Sequence, residues 1–423
     1  MSRRHTRQQS RNPALVALVA EGFLSRLAFG VVGFALPLYA RSLGMSLLQI
    51  GALATVSGMV AAGLKPVMGA AADRFGLKRT MTVAIALRSL LALCYGLATS
   101  AWQLYAVRAG HGLADSARDP AVAALLAEGG GERKVASAFA WYQTAKTMAG
   151  SLGRGAAGLL ITATGGSYGW VFGLAFLLSA LPLGVVARMV REPDRGPDMR
   201  TSHATAQHAA HHDGRRRRTP APDVGRFAVL GFLVAGTSGM LGALFPILAT
   251  EYAGLTAAQA GALYLLTPGL ALTGPAFGWL ADRSGGRLVL SVRGVSNIAS
   301  SFLYLALPTW PGYLAGRAFD DLGKAAYQPA WGSVMARVSA ADRPRRARIM
   351  GVLGMGEDVG DIVAPLAAGL LWSLEGAAAV LLARAALGVV SEVYLWWVTG
   401  GSRARTVSKG AAAPGRPGAD AKR

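Results

Sequence analysis

The sequence predicts an all-α membrane protein of twelve transmembrane helices arranged as two pseudo-symmetric six-helix bundles. Three observations carry that prediction. The 423 residues are 52% hydrophobic and only 15% charged, with mean hydropathy +0.37, where soluble domains carry roughly 25% charged residues. The apolar residues fall into runs of membrane-spanning length, about 20 residues each. The second half also repeats helix-shaping residues of the first at a shift of 209 positions.

Reading in order, residues 1–13 form a polar N-terminal segment, and the apolar run behind it is too long for a signal-peptide core. Spans 1 to 6 follow at 14–40, 47–70, 80–98, 102–127, 136–163 and 168–188, giving a first bundle over 14–190. Residues 191–224 are polar, Pro-rich and charged, and read as a cytoplasmic linker. Spans 7 to 12 at 226–250, 257–280, 289–307, 312–337, 347–373 and 377–399 form the second bundle over 225–400, and 401–423 is a basic tail. Alternating ten-residue strand patterns are absent, and helices satisfy their own backbone in lipid, so the runs are read as helices.

Orientation follows from Lys and Arg. The segments on the side of the N-terminus, counted with the residues that abut them, hold 31 of the 43, whereas the opposite loops hold only Arg41. Both termini are therefore expected in the cytoplasm. The net charge of +21 is scattered among apolar segments, which argues against a nucleic-acid partner and for a lipid bilayer. Arg215 to Arg218 are expected to meet anionic headgroups. Cys94 has no second thiol with which to pair. His203, His208, His211, His212 and Asp213 in the linker are of metal-ligating type, but a solvated linker is the preferred reading, and no metal or cofactor is assigned.

The repeat maps Pro37 to Pro246, Pro66 to Pro275, Arg108 to Arg317 and Pro120 to Pro329. It also maps the loop holding Gly69, Asp73, Arg74, Gly76, Lys78 and Arg79 onto that holding Gly278, Asp282, Arg283, Gly285 and Arg287. This duplicated loop, after spans 2 and 8, resembles the signature loop of the major facilitator superfamily, and the resemblance extends over residues 14–399. It implies the general transporter fold of that family, with Asp73 and Arg74 latching the halves together when the cytoplasmic side is closed. Arg108-Ala-Gly-His111-Gly112 in span 4 is similar to a second signature, which implies a part for Arg108 in proton coupling. Gly153-Arg154-Gly-Ala-Ala157-Gly158 in span 5 is similar to a third, Gly-Pro element of antiporters such as the drug/proton group. Arg154 stands where that element has proline, while the span 11 counterpart keeps Pro365.

Charges at mid-span cost at least about 2.5–3.5 kcal/mol, so they face the bundle interior, pair, and mark function. Arg108, His111, Asp115, Arg118 and Asp119 recur every three or four residues and form one stripe on span 4. Arg317, Asp320, Asp321, Lys324 and Gln328 do the same on span 10, and Glu357, Asp358 and Asp361 cluster on span 11. Two readings are open. In one, the charges only hold helices together, Asp115 with Arg118 or Asp119, Asp320 with Lys324, Lys146 with Glu357. In the other, Arg108, Asp115, Asp119, Asp320, Asp321, Glu357, Asp358 and Asp361 move protons. Arg118, Lys146, Arg154, Arg317, Lys324 and Tyr327 then contact the substrate, with Trp141, Tyr142 and Trp331 as further aromatic walls. Glu21, Arg26, Lys65, Arg88, Arg293, Arg384 and Glu392 are read as structural.

The expectation is a secondary transporter of the cell membrane, moving a small organic solute with protons by alternating access and leaning to export, with a monomer as default. A uniporter or organic-anion exchanger using Lys146, Arg154 and Arg118 is the first alternative, and a transporter-like sensor the second. No nucleophile with an adjacent base and no phosphate-cradling loop supports an enzyme.

Overall fold

The computed structural model describes residues 13–190, 224–284, 286–340 and 346–410, all helix and short connection with no strand among them. Span 1 is Pro13–Ser42, span 2 Leu47–Phe75, span 3 Leu77–Leu97 and span 6 Tyr168–Met189. Ser46 opens span 2 with a reciprocal cap, its hydroxyl accepting from the Gln49 N–H while the Gln49 side chain accepts from the Ser46 N–H. Gly76, at φ 109°, turns the chain directly into span 3.

Spans 4 and 5 differ from the expected pair of separate helices, because one helical run covers Ala101–Ala163. Arg118 nevertheless donates to the Tyr142 hydroxyl at 2.8 Å. In a straight helix those residues would stand about 36 Å apart at 1.5 Å per residue, so the run doubles back between them and still crosses twice. Spans 11 and 12 are likewise continuous from Arg346 to Gly410, broken at Gly376, where φ of 84° leaves the helical region.

The second half opens with Val224–Gly242, which gives way near Pro246 to a π turn over Leu248–Tyr252. Proline has no N–H for the helical ladder, so the backbone must rearrange around it. Span 8 is bent by 47° between Ala257–Ala271 and Gly274–Arg283, around Pro268 and Pro275. Spans 9 and 10 are Arg287–Ala306 and Trp310–Ala340. Among the described residues seven helices, or eight with the bent pair, are long and apolar enough to cross a membrane, and one of them, Ile349–Gly400, is long enough for two crossings. Spans 4, 5 and 10 fall short because they carry charged and polar residues within the apolar run, which is where function concentrates.

Glycine sets the contacts between halves. A Cβ on Gly51 or Gly369 would strike the carbonyl of Pro365 or Leu47, and one on Gly158 would strike that of Ala257. Spans 2 and 11, and spans 5 and 8, therefore approach backbone to backbone, as small residues permit in lipid. Thr55 Oγ1 donates to the Ile362 carbonyl at 2.6 Å, and the Ala258 N–H donates to Thr162 Oγ1 at 3.0 Å.

The apolar core is unequal along the membrane normal. At the end carrying the 1–2 and 7–8 connections, one continuous cluster joins both halves, with Phe34, Leu53 and Phe172 packed in the same body as Phe245, Tyr264 and Trp372. At the opposite end there are two separate clusters. One, around Leu18, Met81 and Leu126, belongs to the first half, and the other, around Leu230, Leu290 and Trp331, belongs to the second. The molecule is sealed at one end and divided at the other.

Candidate functional site

Between the sealed and divided ends lie the charges that the apolar spans carry. In the first half Arg118 is held by Glu21, with Nε and Nη2 donating to its two carboxylate oxygens at 2.7–2.9 Å and Ser25 donating to the same group at 2.7 Å. Glu21 is fully buried and Arg118 nearly so. Asp119 accepts from Arg118 at 3.3 Å, and Arg88 pairs with Asp115 at 3.5 Å. Arg26, Arg88 and Arg108 gather around the Phe29 ring at 4.8–5.9 Å, an arrangement in which the ring face offsets some cationic charge. His111 is buried between Phe29 and Tyr95, and neither ring nitrogen has a partner. Arg26, Arg88, Asp115, Arg118, Asp119 and Lys146 border a cavity of about 70 Å³.

In the second half Asp320 accepts from Arg384 at 2.6 Å, Ser300 at 2.7 Å and Tyr304 at 3.0 Å. Arg384 also donates to the Thr237 carbonyl, the Asn297 side chain and Ser301, so its guanidinium is saturated deep in the bundle. Asp321 accepts from Arg317 at 3.1 Å and from Thr267, with Lys324 at 3.7 Å. Arg293 donates to the Asp320 backbone carbonyl at 3.0 Å and to Ser238. Arg154 of the first half and Arg317 of the second lie against the same Tyr264 ring, at 4.9 and 4.3 Å. Arg154, Tyr264, Arg293, Arg317, Asp320, Lys324 and Arg384 line a second cavity of about 90 Å³, at the seam between halves.

On span 11, Glu357 accepts from the Tyr327 hydroxyl at 2.7 Å, Tyr327 stacks on Trp331, and Asp358 lies 3.8 Å from Lys65 of span 2. Asp361 is exposed on the same helix.

Three expected pairings are corrected. Asp115 pairs with Arg88 rather than Arg118 or Asp119, because Glu21 claims Arg118 with better geometry. Asp320 pairs with Arg384 rather than Lys324, which reaches Asp321 instead. Lys146 lies 5.2 Å from the Tyr142 ring, and Glu357 takes Tyr327 in its place. Trp141 is exposed in a groove with Leu15, Val16 and Phe23, while Tyr142 is buried against Arg118. Glu21, Arg293 and Arg384 prove to be the fixed partners of the stripes; the signal for them was an ionisable residue in an apolar run. Tyr264 and Tyr304 carried no such signal.

In the signature loops, Arg74 lies exposed over Phe75, Arg79 is exposed, and Asp282 and Arg283 are exposed with Arg283 over Trp279. Arg287 stacks on Trp396 and donates to its carbonyl at 2.9 Å. Gly69 has open space around it, and Gly278 faces Pro329. The Asp73 side chain and Gly285 lie outside the described residues, as do the linker histidines. No group of three or more metal-ligating side chains occurs among the described residues.

The profile of the Major Facilitator Superfamily matches residues 20–219 and 227–420. Over 165 residues, 38% of this chain, the sequence is 29% identical to the Multidrug resistance protein MdtG of Salmonella arizonae and equally to that of Salmonella newport. The chain spans 40% of the length of these relatives. Among solved structures, a bacterial homologue of the human lysosomal transporter Spinster, inward-facing and occupied, has a TM-score of 0.71 at 16% identity, covering 91% of this chain and 96% of that one. The nucleoside transporter NupG has a TM-score of 0.68 at 14% identity, covering 92% and 98%. At such identities the likeness is one of fold. With the profile matching both six-span halves, and the two halves meeting around a charged interior, the chain belongs to the major facilitator superfamily of membrane transporters.

Proposed function

We propose that this protein is a proton-linked secondary transporter of the cytoplasmic membrane, exporting a small organic solute by alternating access. The observation that carries the reading is the unequal core, one apolar body at one end and two at the other. Such a pair of bundles has a seam that admits solute from one side only, and rocking the halves about the charged middle exchanges the sides. The Lys and Arg bias supports a cytoplasmic divided end, and on that reading the conformation is open inward. The exposed Arg74 and Arg283 agree with a latch disengaged in that state.

Coupling is assigned to Glu357, Asp358 and Asp361. They stand on the helix that crosses from one half to the other's span 2, and Asp358 faces Lys65 there. A carboxylate that meets a cation in one state and loses it in the other takes up a proton on the change. The test is flux in proteoliposomes of an identified substrate under an imposed pH gradient. Joint replacement E357Q/D358N/D361N is expected to abolish proton-driven flux while leaving counterflow, and unchanged driven flux removes the assignment. Wild-type flux indifferent to the gradient points instead to a uniporter or exchanger, and ligand binding without counterflow to a sensor.

A further inference from the structure

The seam cavity is strongly cationic. Arg154, Arg293, Arg317, Lys324 and Arg384 converge on it, against Asp320 and Asp321. Arg384 is answered by Asp320, and Arg317 with Lys324 by Asp321. Arg293, 2% exposed, gives one N–H to a backbone carbonyl and one to Ser238, two of the five donors of its guanidinium. Half-buried Arg154 meets the face of Tyr264. Neither guanidinium has a carboxylate within ion-pair distance among the described residues, and Asp361, the next acid along, forms no ion pair with either. Buried charge left without a counter-charge is strongly destabilising, and a site with such a surplus repels cationic solutes while concentrating anions. The two arginines come from opposite halves, and a guanidinium fork matches the geometry of an oxyanion.

We propose that this cavity binds a carboxylate, phosphate or sulfate group carried by the solute, held between Arg154 of the first half and Arg293 and Lys324 of the second. The inference rests on the transporter reading only in treating the bound anion as cargo. About 90 Å³ accommodates such a head group but not a drug-sized molecule, so the rest of the solute extends beyond this cavity. An anion bound at the seam ties the halves together through charge-assisted hydrogen bonds.

The test is the thermal stability of the full-length protein, purified in uncharged detergent, titrated with benzoate or inorganic phosphate and, at matched ionic strength, with tetraethylammonium chloride. The anions are expected to raise the melting temperature saturably and the cation to leave it unmoved. R154Q and R293Q each weaken the apparent Kd at least tenfold, R154K, which keeps the charge but not the fork, binds more tightly than R154Q and more weakly than wild type, and the exposed control R188Q matches wild type. Since R293Q removes a buried side chain and folding itself is at risk, R154Q with its R154K rescue decides the matter. Wild-type protein indifferent to both anions, or R154Q binding them as wild type does, overturns the proposal. Repeating the titration in phosphatidylcholine and phosphatidylglycerol nanodiscs separates two carriers of the same chemistry. Competition by phosphatidylglycerol identifies a lipid headgroup in the site, and its absence a soluble acid. This binding assay needs no flux, so an anion site in a protein that transports nothing, or flux of a neutral solute without an anion site, tells the two readings apart.

Discussion

The pair between Glu21 and Arg118 offers the sharpest energetic test. Glu21 has no exposed surface, and it receives three hydrogen bonds from Arg118 and one from Ser25. In E21L the guanidinium remains buried, with the Tyr142 hydroxyl and, among the described residues, Asp119 at 3.3 Å, itself half-exposed, as its remaining acid. Breaking one side of a buried ion pair costs about 3–5 kcal/mol, whereas replacing both sides by apolar groups of similar size is often close to neutral. A loss of about 3 kcal/mol moves the folding equilibrium more than 100-fold. The assay is unfolding in mixed micelles of increasing sodium dodecyl sulfate for E21L, R118M and E21L/R118M. The double variant is expected to recover at least about 2 kcal/mol relative to the sum of the singles. If the two losses simply add, the pair does not act as a unit, and the structural weight placed on it is wrong.

Other outcomes follow from the same contacts. G51L places a side chain against the Pro365 carbonyl and should pry the sealed end apart. In a C94A background, alkylation of a cysteine introduced at Ala368, fully buried beside Gly369 at that contact, should then accelerate several-fold, and an unchanged rate contradicts the backbone approach of spans 2 and 11. Arg41 and Glu251 form a half-exposed pair at 2.7 Å across the halves, so R41A is expected to cost less than about 1 kcal/mol, with the effect fading in concentrated salt. Y327F removes the hydroxyl that donates to Glu357; a stability loss of about 1 kcal/mol is expected, with proton-driven flux reduced more than counterflow.

The spans, the duplication and the charge stripes were all legible because each leaves a one-dimensional trace, in hydropathy, in the 209-residue shift, or in three- and four-residue spacing. The pairings were not. Asp115 has Arg118 and Asp119 close by on its own helix, yet its cation, Arg88, comes from span 3, and Asp320 takes Arg384 from span 12. Helix-local spacing says which side chains share a face, while the facing helix decides which pairs have good geometry. The reversal between Arg118 and Tyr142 was legible, because the run Glu128-Gly-Gly-Gly-Glu132-Arg133-Lys134 separates the expected spans 102–127 and 136–163; what the sequence did not show is that the helical run continues through it. Nor does any sequence signal bring Arg154 and Arg317 to one tyrosine ring, which requires both halves folded and joined.

The shared apolar body at the sealed end has a thermal consequence. Parting the halves there transfers nonpolar side chains such as Phe34, Phe245 and Tyr264 toward water, a step with a positive heat-capacity change. Because burial of such surface weakens on cooling, low temperature should tilt the balance toward the outward-open arrangement. A van't Hoff plot of the conformational equilibrium should therefore be curved, even where each half moves as a rigid unit.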